Sequence, residues 1–325
     1  MNEKFNKWMI ALASLLFTAI LHADEPIKLR EEVGARHLAT PPVTSKADKL
    51  RLLRIITLNV NFHEAADAHL IITPSGKTML IDAGMPAHGT QVVLPYLKQR
   101  GIATIDWMMA SHFHNDHFGG MPPLILSDAV RVKELLWSPV PFDKMEKLEA
   151  ICAKESGKIR DEIEKACAAR NITIRVVRKG NSLDLGDGVK GEILMAAEPE
   201  QEVGNYINNN SIVMRLAYGR FSEIFTGDAG FEEENKIMAA HKDLASDVLK
   251  IGHHAGAGST SQAWVNAIRA KVGIAPMHER LSRDAQGLRV WHLLMPTGMK
   301  IYRTWKHGHI EIQTDGERFW VLTEK

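Results

Sequence analysis

Ten consecutive residues constrain this chain more than any others: Ser111-His112-Phe113-His114-Asn115-Asp116-His117-Phe118-Gly119-Gly120. Four side chains able to bind a metal fall within six positions, directly after the apolar run Ile105–Ala110, which reads as a buried strand. Imidazole and carboxylate are good donors for zinc and similar divalent ions. On an extended backbone His112 and His114 project to the same side and can converge on one ion. Asp116 and His117, one turn later, can face a second. A chance cluster of polar surface residues has no reason to follow a buried strand so closely. Gly119-Gly120 is expected to allow a tight turn into the helix beyond.

Further candidate donors sit at other strand ends. Asp82 follows Met79-Leu80-Ile81 and precedes Ala83-Gly84. Asp228 follows Ile224-Phe225-Thr226-Gly227, and His253-His254 follow Leu249-Lys250-Ile251-Gly252. Taken singly, each reads as a turn cap or a loop histidine. Taken with the histidine cluster, they read as one constellation delivered to one edge of the sheets.

The composition of the remaining chain is ordinary for a soluble globular protein. Its 325 residues carry 40 Lys+Arg against 39 Asp+Glu, with 45% hydrophobic residues. This excludes bulk disorder and argues against a broad non-specific nucleic-acid surface, which needs a basic surplus. Two cysteines, Cys152 and Cys167, exclude a disulfide scaffold and a multi-cysteine metal site. Lys4 and Lys7 followed by the apolar run Trp8–Leu21 and Ala23 read as a secretory signal peptide over residues 1–23. The run is short of the ~20 apolar residues that a span needs. No stable membrane span is therefore expected once the signal is removed, and the chain is expected in the periplasm or outside the cell. The mature chain would hold 38 basic and 38 acidic residues. Residues 24–50 read as a polar linker or arm, and 51–325 as the folded domain.

Within that domain strands and helices alternate loosely, with hairpins beside strand–helix units. This predicts an α/β protein with mixed sheets covered by outer helices. Residues 143–170 predict one long helix, or two broken near Gly157. On one straight helix Cys152 and Cys167 would be roughly 22 Å apart and free; folded back at Gly157 they could pair.

The His-x-His-x-Asp-His pattern, with donors at later strand ends, resembles the metallo-β-lactamase superfamily. Leu80-Ile81-Asp82-Ala83-Gly84, Asn209-Asn210-Ser211, Thr226-Gly227-Asp228 and Val248-Leu249-Lys250-Ile251-Gly252-His253-His254 resemble its ComEC-like branch, the C-terminal hydrolase domain of a DNA-uptake channel. The resemblance runs from about residue 52 to the C-terminus. It implies an αββα sandwich with two divalent ions, expected to be Zn2+, on one edge between the sheets. It also implies hydrolysis by a metal-bound hydroxide. His112 and His114 are then expected on the first metal, Asp116, His117 and His254 on the second, and Asp228 between them. Preferring His254 over His253 as ligand rests on the resemblance alone. Asp116 and Asp228 are then catalytic as well as ligating. His253 is expected to bind the substrate oxyanion or donate a proton, and Asp82 to orient a ligand histidine.

Two departures from the superfamily pattern matter. No histidine lies between His117 and His241, so the usual third histidine of the first metal is missing. Asn210 is the substitute by position, as ligand, as substrate contact or as a plain turn residue. The branch's Gly-Gln-Gly-Asp stretch survives only as Asp67, which is expected to bind substrate. The missing histidine favours a phosphodiester substrate over the alternative, a β-lactamase or lactonase acting on a cyclic amide or ester; a non-catalytic metal module is a third class. Between 278 and 306 six basic residues face two acidic ones. That strip either borders the metals and draws an anionic ligand or is solvated surface. Trp291 and Trp305 either stack on a base or pack in the core. Charge neutrality favours a small or short phosphodiester and does not favour nucleic acid, though it leaves it possible.

Overall fold

The computed structural model describes residues 30–32, 52–60, 64–198, 200 and 204–325. The expected signal peptide lies outside the described residues. Within the segment read as a polar arm, Arg30–Glu32 forms strand β1 and pairs antiparallel with the C-terminal strand.

Among the described residues sixteen strands make two sheets. The first takes β1 together with β2 (Leu53–Thr57), β3 (His69–Ile72), β4 (Thr78–Ile81), β5 (Thr104–Met109), β6 (Arg131–Trp137), β7 (Thr173–Val176), β15 (Ile310–Thr314) and β16 (Phe319–Thr323). Its order is β1-β16-β15-β2-β3-β4-β5-β6-β7. The second takes β8 (Ser182–Gly186), β9 (Val189–Met195), β10 (Val213–Tyr218), β11 (Phe221–Phe225), β12 (Val248–Lys250), β13 (Val272–Ala275) and β14 (Lys300–Arg303), in the order β14-β13-β12-β11-β10-β9-β8. β6 was not foreseen; its Arg-Val-Lys-Glu start alternates exposed and buried before the buried Leu135-Leu136-Trp137.

The two sheets pack face to face. Alternate residues such as Ile55, Ile71, Met79, Ile81, Met214, Phe225 and Ile274 fill the space between them. Each outer face is covered by helices. On the first sheet lie α1 (Leu94–Gln99), α2 (Asn115–Phe118), α3 (Met121–Leu126), α4 (Phe142–Leu148) and α5 (Ala150–Arg170); on the second, α6 (Phe231–Ala240), α7 (Gln262–Ile268) and α8 (Ala285–Leu294). This is the αββα sandwich expected.

The topology explains where the site falls. β4, β5, β6 and β7 run parallel, so Asp82 after β4 and the histidine cluster after β5 emerge at one edge. β11, β12, β13 and β14 also run parallel, which brings Asp228 after β11 and His253-His254 after β12 to one edge of the second sheet. The Ile212 amide donates to the Ser111 carbonyl at 2.8 Å and ties the two edges together.

The charged segment does form two helices, but the break falls at Glu149 (φ −142°, ψ 55°) and not at Gly157. Gly157 lies inside α5, where a Cβ would meet the Phe142 ring at 2.5 Å; the glycine serves close packing. Cys152 and Cys167 share this helix and are free. Gly119 and Gly120 likewise keep right-handed backbone (φ −57° and −78°) and do not form a left-handed turn. A Cβ there would lie 2.2 Å from the Asn115 and Ala83 carbonyl oxygens respectively. Close approach of three loops is what requires the pair. Among the described residues no helix is long and apolar enough to cross a membrane.

Candidate metal centre

The cluster leaves β5 with its residues alternating. Phe113 turns inward, stacks on Phe118 at 5.2 Å and packs beside Trp137, while His112 and His114 turn to the opposite side. His112 Nε2 and His114 Nδ1 come within 3.3 Å of each other. Asp116 and His117 follow in the first turn of α2.

Four donor atoms from three segments surround one point. His117 Nε2 lies 3.3 Å from His254 Nε2 and 3.2 Å from Asp228 Oδ2. His254 Nε2 lies 3.4 Å from Asp228 Oδ2 and 3.2 Å from Asp116 Oδ2, and Asp116 Oδ2 is 4.0 Å from His117 Nε2. Donors about 2.0–2.1 Å from a tetrahedral ion stand about 3.3–3.4 Å apart. The spacing therefore fits one divalent ion. His112 Nε2, 3.9 Å from the same Asp228 oxygen, and His114 Nδ1 frame an adjoining position. Asp228 Oδ2 thus stands between two candidate positions.

Each donor is held from behind. Asp82, at φ 58°, accepts from the Ser111 amide (2.8 Å) and hydroxyl (2.6 Å) and lies 2.8 Å from His117 Nδ1. An ionised carboxylate only accepts, so His117 carries its proton on Nδ1 and turns Nε2 to the centre. His254 Nδ1 lies 2.9 Å from the Pro276 carbonyl and 3.1 Å from Asp67 Oδ1, which fixes its orientation in the same way. The Asp228 amide donates to Ser211 Oγ. His253, His254 and Ala255 all have positive φ (46°, 51° and 64°). Such conformations cost about 1–3 kcal/mol each and persist where surrounding structure enforces them.

A buried lysine completes the base of the site. Lys250 Nζ, 1% exposed, donates to Asp67 Oδ2 at 2.7 Å, to Asp228 Oδ1 at 3.2 Å and to the Gly227 carbonyl at 2.6 Å. Lys250 thus engages one oxygen of Asp228 and leaves the other for the centre. Sequence reasoning quoted Lys250 within its motif but gave it no role; a lysine in an otherwise apolar buried strand was the available signal. Asp67, expected on the substrate, is 1% exposed and lies beneath the donors between Lys250 and His254. Asn210 takes the turn-residue reading among those left open. Its Oδ1 accepts from the Glu198 amide and its Nδ2 donates to the Tyr206 carbonyl, so both ends of the amide shape the loop. Its neighbour Asn208 faces the site, with Nδ2 3.5 Å from His253 Nε2. Glu149, also missed, reaches His114 Nε2 at 3.4 Å and accepts from the Ile207 amide.

Electrostatics agree with a cation site. Burial alone would raise Asp228 and Asp67, but His117, His254 and Lys250 hold both well below the usual carboxylate range. Burial, reinforced by His117, depresses His112 well below its ordinary value, so it stays neutral as a ligand must. His117 and His254 go the other way: burial opposes their charge, yet Asp228 with Asp82 or Asp67 raises both well above the ordinary value.

The basic strip does not act as one surface. Arg289 donates to the Ser259 and Thr260 carbonyls, Arg283 pairs with Glu279, and Arg303 stacks on Trp291. Trp291 and Trp305 pack in the outer core of the second sheet.

An αββα sandwich with a histidine–aspartate centre on the shared edge of its sheets defines a metal-dependent hydrolase. The chain belongs to the metallo-beta-lactamase superfamily, whose family model matches residues 64–277. It lies near the ComEC branch. ComE operon protein 3 of Bacillus subtilis is 28% identical over 225 residues, 69% of this chain and 26% of that protein. Endoribonuclease YSH1 of Kluyveromyces lactis is 38% identical over 71 residues, 22% of this chain and 9% of that protein. The chain thus spans about a quarter of the first relative's length and about a tenth of the second's. A crystal structure of a new diphosphatase from the PhnP family shares 14% identity with a TM-score of 0.43, covering 81% of this chain and 98% of the other.

Proposed function

We propose that this chain is a periplasmic or secreted hydrolase that holds two divalent ions and cleaves a phosphodiester bond. The observation that carries the reading is the trio His117 Nε2, His254 Nε2 and Asp228 Oδ2, 3.2–3.4 Å from one another, with Asp116 Oδ2 3.2 Å from His254 Nε2 and with His112 and His114 framing a second position beside the same Asp228 oxygen. Imidazole with carboxylate suits zinc. Ions held there supply two things: a water acidic enough to attack at neutral pH and positive charge for the leaving oxygen. The chain's own residues do the positioning. Asp82 and Ser111 aim His117, Asp67 and the Pro276 carbonyl aim His254, and Lys250 holds the far oxygen of Asp228.

Exposure rises from none at His117 to 22% at Asp116 and 30% at His253. Substrate therefore approaches over His114, Asp116 and His253, while the second position lies deeper. The absence of a third histidine and the local likeness to an endoribonuclease support phosphodiester cleavage. The neutral charge balance supports a small or short substrate. The apolar N-terminal run supports export, which fractionation of cells expressing the full chain would check.

Three substrates tested in parallel on the metal-loaded protein decide the class: bis-p-nitrophenyl phosphate, single-stranded DNA and nitrocefin. Turnover of the phosphodiester is expected. Turnover of nitrocefin alone overturns the phosphodiester reading, and no turnover of any with two ions bound overturns the enzymatic one.

A further inference from the structure

We infer that His253 is the nitrogen donor that replaces the missing third histidine of the first metal position. The inference rests on the two-ion reading and adds a ligand to it. His253 and His254 are built alike. His253 Nδ1 lies 2.9 Å from the Ala257 carbonyl, as His254 Nδ1 lies 2.9 Å from the Pro276 carbonyl. A carbonyl oxygen only accepts, so both rings carry a proton on Nδ1 and leave Nε2 as the nitrogen that can ligate. A backbone carbonyl on the far nitrogen is the usual way a ligand histidine is fixed.

The lone pairs point to two different places. His254 Nε2 meets His117 and Asp116, at the second position. His253 Nε2 stands 3.9 Å from Asp228 Oδ2, the same reach that His112 Nε2 has to that oxygen. The ring planes are splayed by 58° with centroids 6.2 Å apart. Left-handed backbone at three successive residues makes this possible: on an ordinary strand, neighbours would point to opposite faces. With His253 Nε2 added, the first position would draw on His112 Nε2, His114 Nδ1, Asp228 Oδ2 and His253 Nε2, four donors of the types zinc takes.

Asn208 Nδ2 lies 3.5 Å from this nitrogen, a hydrogen bond at the limit of length that a bound ion would displace. As a ligand, His253 would bind the ion rather than the substrate oxyanion.

The test is metal stoichiometry, not turnover. His253→Gly suits the left-handed backbone and removes the ring; circular dichroism and thermal melting confirm the fold. Loaded with Co(II) and desalted, the wild-type chain should retain two ions and His253→Gly one, with the visible Co(II) bands of the first position lost. Added imidazole should restore the second equivalent and its bands. His254→Gly should lose the other ion and leave the His253-dependent bands in place. If His253→Gly keeps two ions with unchanged Co(II) bands, the assignment is wrong although the two-ion reading stands. If the wild-type chain itself holds a single ion, the two-ion reading falls and this assignment falls with it.

Discussion

Lys250 offers the sharpest test of how the site is assembled. Its ammonium is 1% exposed and bonded to Asp67, Asp228 and the Gly227 carbonyl. Replacing it, Lys250→Met, keeps the stem's volume and deletes the charge. Asp67, itself 1% exposed, then faces only the histidines His254, His117 and His69 among the described residues, and the Asp228 Oδ1 side loses its cation. Breaking a buried pair by removing one partner typically destabilises by about 3–5 kcal/mol, because the other charge stays buried. With a urea slope of about 3 kcal/mol/M, the midpoint should fall by about 1–1.7 M. The assay is urea unfolding in chelator, so that no bound cation replaces the lysine. Adding back a divalent ion should narrow the gap, since it neutralises the same carboxylates. The double variant Lys250→Met with Asp67→Asn removes both charges and should recover much of the loss, giving a coupling energy of about 1–3 kcal/mol. A metal-free Lys250→Met whose midpoint matches the wild type, or a double variant whose losses simply add, would refute the idea that Lys250 is there to balance Asp67 and Asp228.

Three further outcomes follow from the geometry and the shifted groups. Asp116→Ala should lose the ion of the second position, since Asp116 Oδ2 is one of its four donors; two ions by elemental analysis would contradict the assignment. Loading the metal-free protein at neutral pH should release protons, because the raised His117 and His254 carry charge there and must give it up to ligate; an indicator dye in weak buffer reads this, and no release would argue against these two ligands. Glu223, buried between the sheets, is pushed up to about 8 by burial alone. Its folded form holds a proton that the unfolded chain gives up near 4.5, so this contribution is full below pH 4.5 and is lost as pH rises through about 8. The loss amounts to at most about 5 kcal/mol. Glu223→Gln should flatten urea stability across that window, and a pH dependence parallel to the wild type would count against the buried, protonated glutamate.

The parts of this protein that were legible in its sequence share a physical character. Metal-binding side chains straight after apolar runs were found because a strand's end fixes where the next residue emerges, and parallel neighbours send such ends to one edge. His112, His114, Asp116, His117, Asp228 and His254 all meet there. The failures occur where the outcome depends on which of several adjacent residues turns inward. In Asn208-Asn209-Asn210, position along the chain pointed to Asn210; the fold commits that amide to Glu198 and Tyr206, and Asn208 faces the centre. Asp67 kept its place in the pattern, yet lies beneath the donors because Lys250, far away in sequence on β12 and absent from the ligand pattern, reaches it from the second sheet. The break at Glu149 follows the same logic. Gly157 is the stronger local breaker, but Phe142 packs on it and holds the helix together, while Glu149 leaves the helical line to reach His114 and the Ile207 amide. Local propensity decided where a turn was cheap; contact with the site decided where the chain turned. Such residues carry no periodic signature, and they are where charge, backbone strain and unforeseen partners concentrate around this centre.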